Sequence, residues 1–341
     1  MNKFVCAASL LCLLPLSQYV CAITAEDVTT YLTAVSKAGH RIVAVGERGN
    51  VLLSDDEGRN WQHVDAGVSS TLTAVKFVDD QVGFALGHGG TILRTSDAGQ
   101  TWKTMLEGSQ VVKLTQQAAV AISADPTQKE KATELELYAK RLEDSAASDP
   151  LFDMLFLGDQ QILVVGAYGM VLRSEDAGAT WQVWMAHVDN TQEFHLYAIT
   201  QAAGAIYLAG EQGYLARSLD QGKTFSKVQT DVGGSFFTLQ TGNDGEVLAA
   251  GLQGNMVSIE NSGETWTLLD TQSTGTLIDS EKSDDGSIYF SDINGRIEKL
   301  AGRTLTPVQH VAVPVSAFTI VTEGSFVVVG ASGIKRITAE N

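Results

Sequence analysis

An eight-residue motif recurs along this chain and constrains its fold more than any other feature. It reads small polar residue, any residue, Asp, any residue, Gly, any residue, Thr and an aromatic residue, and its clearest copy runs from Ser174 to Trp181 with Asp176 third. The other copies of this Asp-box carry Asp56 and Trp61, Asp97 and Trp102, Asp220 and Phe225, and, in a degenerate copy, Asn261 and Trp266. Repetition at this spacing predicts an array of similar structural units.

Each Asp-box follows two short β-runs joined by a glycine-containing turn. Two more units keep this hairpin without the box, at 288–297 and 326–336, which brings the number of units to seven. A period near 41 residues separates most of the turn glycines, which are Gly49, Gly90, Gly169, Gly213, Gly254, Gly295 and Gly333. Such a period is typical of a four-stranded propeller blade. The sequence therefore predicts an all-β fold, a seven-bladed β-propeller that forms a single domain over 23–341.

The spacing between the second and third units is longer by almost one period, and the extra residues read as helical. The segment 106–150 is rich in Ala and Gln over 111–122, then offers Asp125 as a helix cap before Pro126, followed by apolar residues at helical spacing. We predict a helical hairpin inserted between blades 2 and 3. If the strands of each blade run outward from the axis as A to D, the hairpin lies on the face of the B–C turns, as a lid or docking arm.

The two ends of the chain carry further expectations. The last unit stops after its third strand, near Ile337, so we expect residues 24–30 to supply the fourth strand and close the ring. Residues 1–22 read as a cleaved export signal, with Lys3 before an apolar stretch and a small-residue site at 20–22. The sequence thus predicts a periplasmic protein with no direct membrane insertion after cleavage.

Composition excludes several functions. All three cysteines lie within the first 22 residues, so the mature chain can form no disulfide, thiol nucleophile or Cys-ligated zinc site. The net charge of −17 argues against binding nucleic acid or anionic lipid. The six histidines show no paired metal-ligand spacing, and His195 near Glu193 makes a weak catalytic pair. We expect no metal, no cofactor and a monomer.

The Asp-boxes themselves are expected to be structural. Their Asp should cap backbone N–H groups of a tight turn and their aromatic residue should pack between blades, on the face opposite the B–C turns. Arg94, Arg173 and Arg217 each precede a box, and this repetition indicates contacts between blades or stacking on Trp.

The B–C turns differ from unit to unit, which is typical of binding positions in a repeat array. The candidate partner-binding or ligand-binding residues at these turns are Glu47, Arg48, His88, Tyr168, Glu211, Gln212, Gln253 and Asn294. We expect them to ring the mouth of the central channel. The alternative is that they are solvated turn residues.

The boxes and blade pattern resemble the Asp-box (BNR-repeat) propellers, of which sialidases are the best known. That resemblance implies a catalytic arginine triad with an early Arg-Ile-Pro segment, whereas this chain has Arg41-Ile42-Val43 and no matching Pro. The residue sequence of the repeats is more similar to that of the photosystem II stability/assembly factor family, at 153–156, 164–169, 172–181 and 83–95.

The assembly-factor resemblance implies a non-enzymatic seven-bladed propeller that serves a membrane complex. The chain departs from the photosynthetic members in its helical insertion and acidic charge. The leading hypothesis is therefore a non-catalytic periplasmic scaffold that binds a protein of a membrane-associated complex, such as a transport system. The alternative is a carbohydrate-active protein, a sialidase-like glycosidase or a lectin, that uses the channel mouth.

Overall fold

Seven antiparallel β-sheets surround a central axis in the computed structural model, which describes residues 23–338. The first strand of each blade contacts the first strand of the next, including blade 7 with blade 1, so the ring is closed at its centre. The predicted seven-bladed propeller is confirmed. The predicted signal peptide at 1–22 lies outside the described residues.

The strands have the following bounds. The chain starts with β1 (Ile23–Thr24). Blade 1 contains β2 (Leu32–Ala38), β3 (Arg41–Gly46), β4 (Asn50–Ser54) and β5 (Asn60–Asp65). Blade 2 contains β6 (Leu72–Phe77), β7 (Gly83–Gly87), β8 (Ile92–Thr95) and β9 (Lys103–Leu106). Blade 3 contains β10 (Leu151–Leu157), β11 (Gln161–Gly166), β12 (Val171–Ser174) and β13 (Gln182–Val183). Blade 4 contains β14 (Leu196–Ala202), β15 (Ala205–Gly210), β16 (Leu215–Ser218) and β17 (Ser226–Val228). Blade 5 contains β18 (Phe236–Thr241), β19 (Val247–Gly251), β20 (Met256–Glu260) and β21 (Thr265–Leu269). Blade 6 contains β22 (Leu277–Lys282), β23 (Ile288–Asp292), β24 (Arg296–Ala301) and β25 (Thr304–His310). Blade 7 contains β26 (Ala317–Thr322), β27 (Ser325–Gly330) and β28 (Gly333–Ile337).

The second strand of each blade is buried on both faces. In β3, for example, the run Ile42 to Val45 is at most 2% exposed. A continuous apolar run of this kind is expected where neighbouring blades cover both sides of a sheet. The hydrophobic core consequently lies between blades, in clusters that each join two neighbours.

The ring closes differently from the expectation at the chain ends. The prediction that residues 24–30 form the fourth strand of blade 7 is wrong, since no strand within 23–338 pairs with the outer edge of β28. Instead β1 pairs with β5 of blade 1, with Ile23 opposite Trp61. The next residues form a short 3₁₀ turn, Ala25–Asp27. Ala25 and Val28 then pack between blades 1 and 7, so the segment lies beside β28 without pairing with it as a strand.

The predicted helical hairpin is present as α1 (Gly108–Ser123) and α2 (Lys129–Asp144). Asp125 caps the connection by accepting a hydrogen bond from Thr127 N at 2.9 Å. The apolar faces of the two helices pack against blade 3, where Leu135 and Tyr138 join a cluster that contains Met170. The hairpin therefore stands on the B–C turn and outer strand of blade 3.

The Asp-boxes form tight C–D turns on the face opposite the B–C turns. In blade 3, Asp176 accepts hydrogen bonds from Thr180 N at 2.8 Å and Thr180 Oγ1 at 2.6 Å. The hydrogen bonds from Thr180 lower the pKa of Asp176 below its usual range. The box glycine approaches the preceding blade closely: a β-carbon on Gly178 would lie 2.8 Å from the Phe84 ring.

Two of the three arginines that precede a box link their blade to the next box. Arg173 donates to Gly222 O at 2.9 Å and stacks over Trp184, and Arg217 donates to Ser262 O. Arg94 instead lies over the Phe84 ring of its own blade. These side chains are thus engaged in packing between and within blades.

Candidate functional site

The B–C turns share one backbone conformation and differ in their side chains. Four of them are 3₁₀ turns whose middle residue has a positive φ, namely Arg48, Tyr168, Gln212 and Gln253. A glycine that also has positive φ follows each of them. Because the backbone is fixed, the side chains at these positions are free to vary and point toward solvent.

His88 lies at a different position of its turn from these four residues. His88 N bonds to Thr71 O just as Glu47 N bonds to Tyr31 O and Glu211 N to His195 O. His88 therefore corresponds to the first turn position, and Gly89 takes the positive φ of the second.

The two glutamates of this set bond to residues that precede the inner strands. Glu211 Oε2 accepts a hydrogen bond from His195 N at 2.9 Å, and Glu47 Oε1 accepts one from Thr30 Oγ1 at 3.3 Å. The other predicted residues at the turns are exposed, and they are Arg48, His88, Tyr168, Gln212, Gln253 and Asn294. None of the eight residues lines the central cavity, so they surround its mouth at a distance.

The central cavity is lined instead by the inner strands, and one residue at the start of each of them takes part in the lining. In blades 1 to 6 this residue forms a β-bulge directly after the first residue of the strand, and in blade 7 it directly precedes β26. The seven residues are Thr33, Thr73, Phe152, Tyr197, Phe237, Ile278 and Ser316, around a cavity of about 220 Å³. A bulge redirects a side chain, which here turns it toward the axis.

This lining has an aromatic side and a hydroxyl side. The Tyr197 ring lies between Phe152, at a centroid distance of 5.3 Å, and Phe237, at 5.1 Å. On the other side, Thr33 and Thr73 donate to backbone carbonyls of the neighbouring inner strand. We call Phe152, Tyr197 and Phe237 the aromatic arc.

His195 connects the aromatic arc to the turn of blade 3. Its Nδ1 accepts a hydrogen bond from Tyr168 N at 2.7 Å, and the Tyr168 ring meets the imidazole edge to face at 4.5 Å. Burial, followed by the negative charge of Glu211, raises the pKa of Tyr197 to about 12, so its phenol stays neutral at physiological pH.

Tyr168 also contacts the helical hairpin. The Arg141 guanidinium lies 3.9 Å from the Tyr168 ring centroid and 4.4 Å from that of Tyr138. Asp149 holds Arg141 in place through an ion pair of 2.9 Å. Aromatic arc, turn and hairpin therefore form one continuous surface on blades 3 to 5.

Deeper in the channel, charged side chains join neighbouring inner strands. Asp153 pairs with Lys76 at 2.6 Å and accepts a hydrogen bond from Ile199 N. Asp279 accepts one from Phe318 N at 3.0 Å, and burial raises its pKa to about 7.

The arginines and carboxylates are engaged in structural contacts. Arg41 forms a bidentate pair with Asp55 at 2.7 and 2.8 Å, while Arg173 and Arg217 reach other blades, so these arginines do not form a substrate triad. Over residues 23–338 there is no group of three or more His, Cys, Asp or Glu arranged to hold a metal ion. In the same part of the chain, no helix is long and apolar enough to cross a membrane.

Fold and site define a seven-bladed Asp-box propeller with an aromatic channel mouth. Its sequence matches the family model described as photosynthesis system II assembly factor YCF48 over residues 16–96 and 137–294, and the chain belongs to this family. The unmatched stretch between these ranges contains all of α1. A search of the curated proteins gave no match.

Solved structures with the same fold include two members of that family. A YCF48 bound to a D1 peptide is 15% identical, with a TM-score of 0.65, and the match covers 94% of this chain and 96% of that one. YCF48 from Cyanidioschyzon merolae is 14% identical, with a TM-score of 0.63 and coverage of 92% and 97%. Virginiamycin B lyase from Staphylococcus aureus is 10% identical, with a TM-score of 0.68 and coverage of 94% and 98%. At these identities the likeness concerns the fold.

The residues of the aromatic arc were missed by the sequence analysis. Each follows the large apolar residue that opens an inner strand, namely Leu151, Leu196 and Phe236. Two adjacent large apolar residues at the start of the first strand were the available signal. In a simple alternating strand the second residue would face a neighbouring blade, and only the bulge places it at the axis.

Proposed function

We propose that this chain is a non-catalytic periplasmic propeller that binds a protein segment of a membrane-associated complex at the mouth of its channel. The family to which it belongs is described as an assembly factor, and a solved YCF48 is bound to a D1 peptide. Both facts favour a protein partner over a small substrate.

The observation that carries the proposal is the aromatic arc beside exposed apolar turn residues. Tyr168 and Leu252 are 40% and 39% exposed at the turns of blades 3 and 5, next to the arc formed by blades 3 to 5. Aromatic side chains give large contact areas at a small entropic cost and are enriched where proteins bind one another. The arc has therefore the composition of an anchor site for an apolar segment of a partner.

The hydroxyl side of the cavity complements this anchor. Thr33, Thr73 and Ser316 lie across the mouth from the aromatic rings. A cavity of about 220 Å³ accommodates one or two side chains rather than a folded element. We infer that the partner inserts the side chains of a loop or chain end while its remaining surface rests on the turns.

The hairpin is proposed to extend the same surface toward the partner. Its exposed residues include Leu137 and Val120, at 65% and 68% exposure, and it is anchored to Tyr168 through Arg141. A membrane transport or assembly system fits these features and the predicted export of the chain. Export itself has a direct test: N-terminal sequencing of the protein recovered from the periplasm should begin at Ile23.

The test is co-purification from cross-linked, detergent-solubilised membranes. The wild-type chain should recover a discrete membrane complex, and Phe152→Ala with Phe237→Ala should reduce the recovery at least tenfold. Loss of such anchors costs about 2 kcal/mol or more in measured interfaces. Leu219→Ala, at an exposed apolar residue on the opposite face, is the matched control and should leave recovery unchanged. Equal recovery with the arc variant would refute the proposal.

A further inference from the structure

The junction between blades 5 and 6 lacks the wedge that fills the other box-bearing junctions. In blades 1 to 5, the Asp-box glycine packs against the preceding blade; Gly58 lies against Val327 and Gly222 against Leu163. Blade 6 has a two-residue turn, Gly302-Arg303, between the paired Ala301 and Thr304. Its box is therefore absent, and only the short turn itself borders the space that a box would fill.

A cavity of about 610 Å³ occupies this place, larger than the one at the channel mouth. Its walls come from blade 5, with Leu248, Ser258 and Leu269, and from the shortened turn of blade 6, with Leu300 and Arg303. Blade 6 also has a smaller side chain at the aromatic position of the box. Leu305, which pairs with Leu300, stands where the other boxes have Trp or Phe. The junction thus lacks both a turn and a large ring. We call this space the junction cleft.

The junction cleft also lacks the arginine found at comparable junctions. Arg173 and Arg217 pair with Leu163 and Tyr207 on the second strand and bond to the next box, whereas Ser258 pairs with Leu248 at the same register. Ser258 is only 7% exposed, whereas the other two positions carry a long cationic side chain. It is a buried polar group that faces the cavity.

The charged side chains around the junction cleft indicate which kind of ligand it would bind. Asp244, Glu246 and Glu260 line the cleft against a single guanidinium, that of Arg303, which is directed to Leu268 O at 3.5 Å. The carboxylates therefore outnumber the cations at a site where other junctions hold an arginine. An occupant with a positive charge would pair with them, and an aromatic ring would bury the apolar walls.

We propose that the junction cleft binds a loop of a protein partner that carries an arginine close to a tryptophan or phenylalanine. Such a loop would supply in trans the turn and ring that blade 6 lacks and the cation that blade 5 lacks at Ser258. The cleft lies among A–B and C–D turns, away from the channel mouth. The proposal is therefore independent of the function proposed above.

The test is an amide NMR titration of the full mature chain with the peptide acetyl-Gly-Arg-Gly-Trp-Gly-amide. Saturable shifts are expected at Ser258 and Gly302. Ser258→Arg, which restores the side chain of the filled junctions, should abolish them, and Glu246→Gln with Glu260→Gln should weaken binding at least threefold. Asp159→Asn, an exposed carboxylate on the A–B turn of blade 3, is the matched control and should have no effect.

Other outcomes overturn the proposal. A peptide with Glu in place of Arg must give no saturable shifts. Indole alone must bind more weakly than the arginine-containing peptide. Equal binding of indole would indicate a small-molecule site instead. Absence of saturable shifts in the wild type, or unchanged binding in both cleft variants, would refute the assignment. Phe152→Ala should leave the titration unchanged, which separates this result from a failure at the channel mouth.

Discussion

Replacement of Trp61 by alanine should destabilise the protein more than the same change at any partly exposed box tryptophan. Trp61 is fully buried, donates from Nε1 to Gly58 O at 3.0 Å, and packs with Val327 and Ile334 of blade 7. Blade 7 has no fourth strand within the described residues, so this packing carries much of the closure between the first and last blades.

The magnitude follows from the buried ring. Truncation of a buried Trp to Ala costs about 3–5 kcal/mol, out of a total stability of about 5–15 kcal/mol. Trp61→Phe keeps most of the ring and loses the hydrogen bond, which should cost about 1–2 kcal/mol. Trp102 has the same position in its box and the same bond to Gly99 O, but it is only half-buried, so Trp102→Ala should cost about half as much as Trp61→Ala.

The assay is guanidinium denaturation followed by far-ultraviolet circular dichroism. Tryptophan fluorescence is unsuitable because each variant has lost one tryptophan. The order of stability should be wild type, Trp61→Phe, Trp102→Ala and Trp61→Ala. If Trp61→Ala loses less than about 1 kcal/mol, or no more than Trp102→Ala, the reasoning about closure at blades 1 and 7 is wrong.

Three further predictions concern the channel, blade 6 and the hairpin. The pKa of Asp279 is raised to about 7 from an ordinary value of 3.8, so the folded state holds a proton that the unfolded state releases between these values. This carboxyl therefore contributes stability at low pH that is lost as the pH rises toward 7. Asp279→Asn lacks this loss, so its free energy of unfolding minus that of the wild type should increase between pH 4 and 7. A difference that stays constant over this range would contradict the prediction. Replacement of residues 300–305 by the sequence of 218–225 should fill the junction cleft, raise the unfolding free energy by about 1–3 kcal/mol and abolish binding of the arginine-tryptophan peptide; a loss of stability would show that the cleft does not have box geometry. Arg141→Gln removes the ion pair with Asp149 and the contact with Tyr168, and should cost about 1–2 kcal/mol and expose the hairpin to limited proteolysis within 106–150; unchanged cleavage would argue against Arg141 as the anchor.

The blades could be predicted from the sequence because their signals are local. Asp176 bonds with Ser174, Ala179 and Thr180 of its own box, so each box folds its own turn and marks one unit. The insertion was visible for a related reason, since α1 and α2 interrupt a regular period and carry helical spacing of their own.

The chain ends and the channel lining depend on contacts between distant residues. Whether residues 24–30 would pair with β28 is decided by the packing of Ala25 and Val28 beside Trp61, which no local pattern records. Likewise Phe152, Tyr197 and Phe237 come together only because blades 3 to 5 are neighbours around the axis. The junction cleft could be predicted only in part. The missing box of blade 6 was visible in the sequence, but the open space that it leaves beside blade 5 was not.

Site-specific photo-cross-linking in intact cells can show whether a protein partner binds at the channel mouth. A benzophenone amino acid at Phe237 should give a discrete adduct with a membrane protein. The same group at Leu219, on the opposite face, should give none. Adducts of equal yield at both positions, or no adduct at Phe237, would contradict the account.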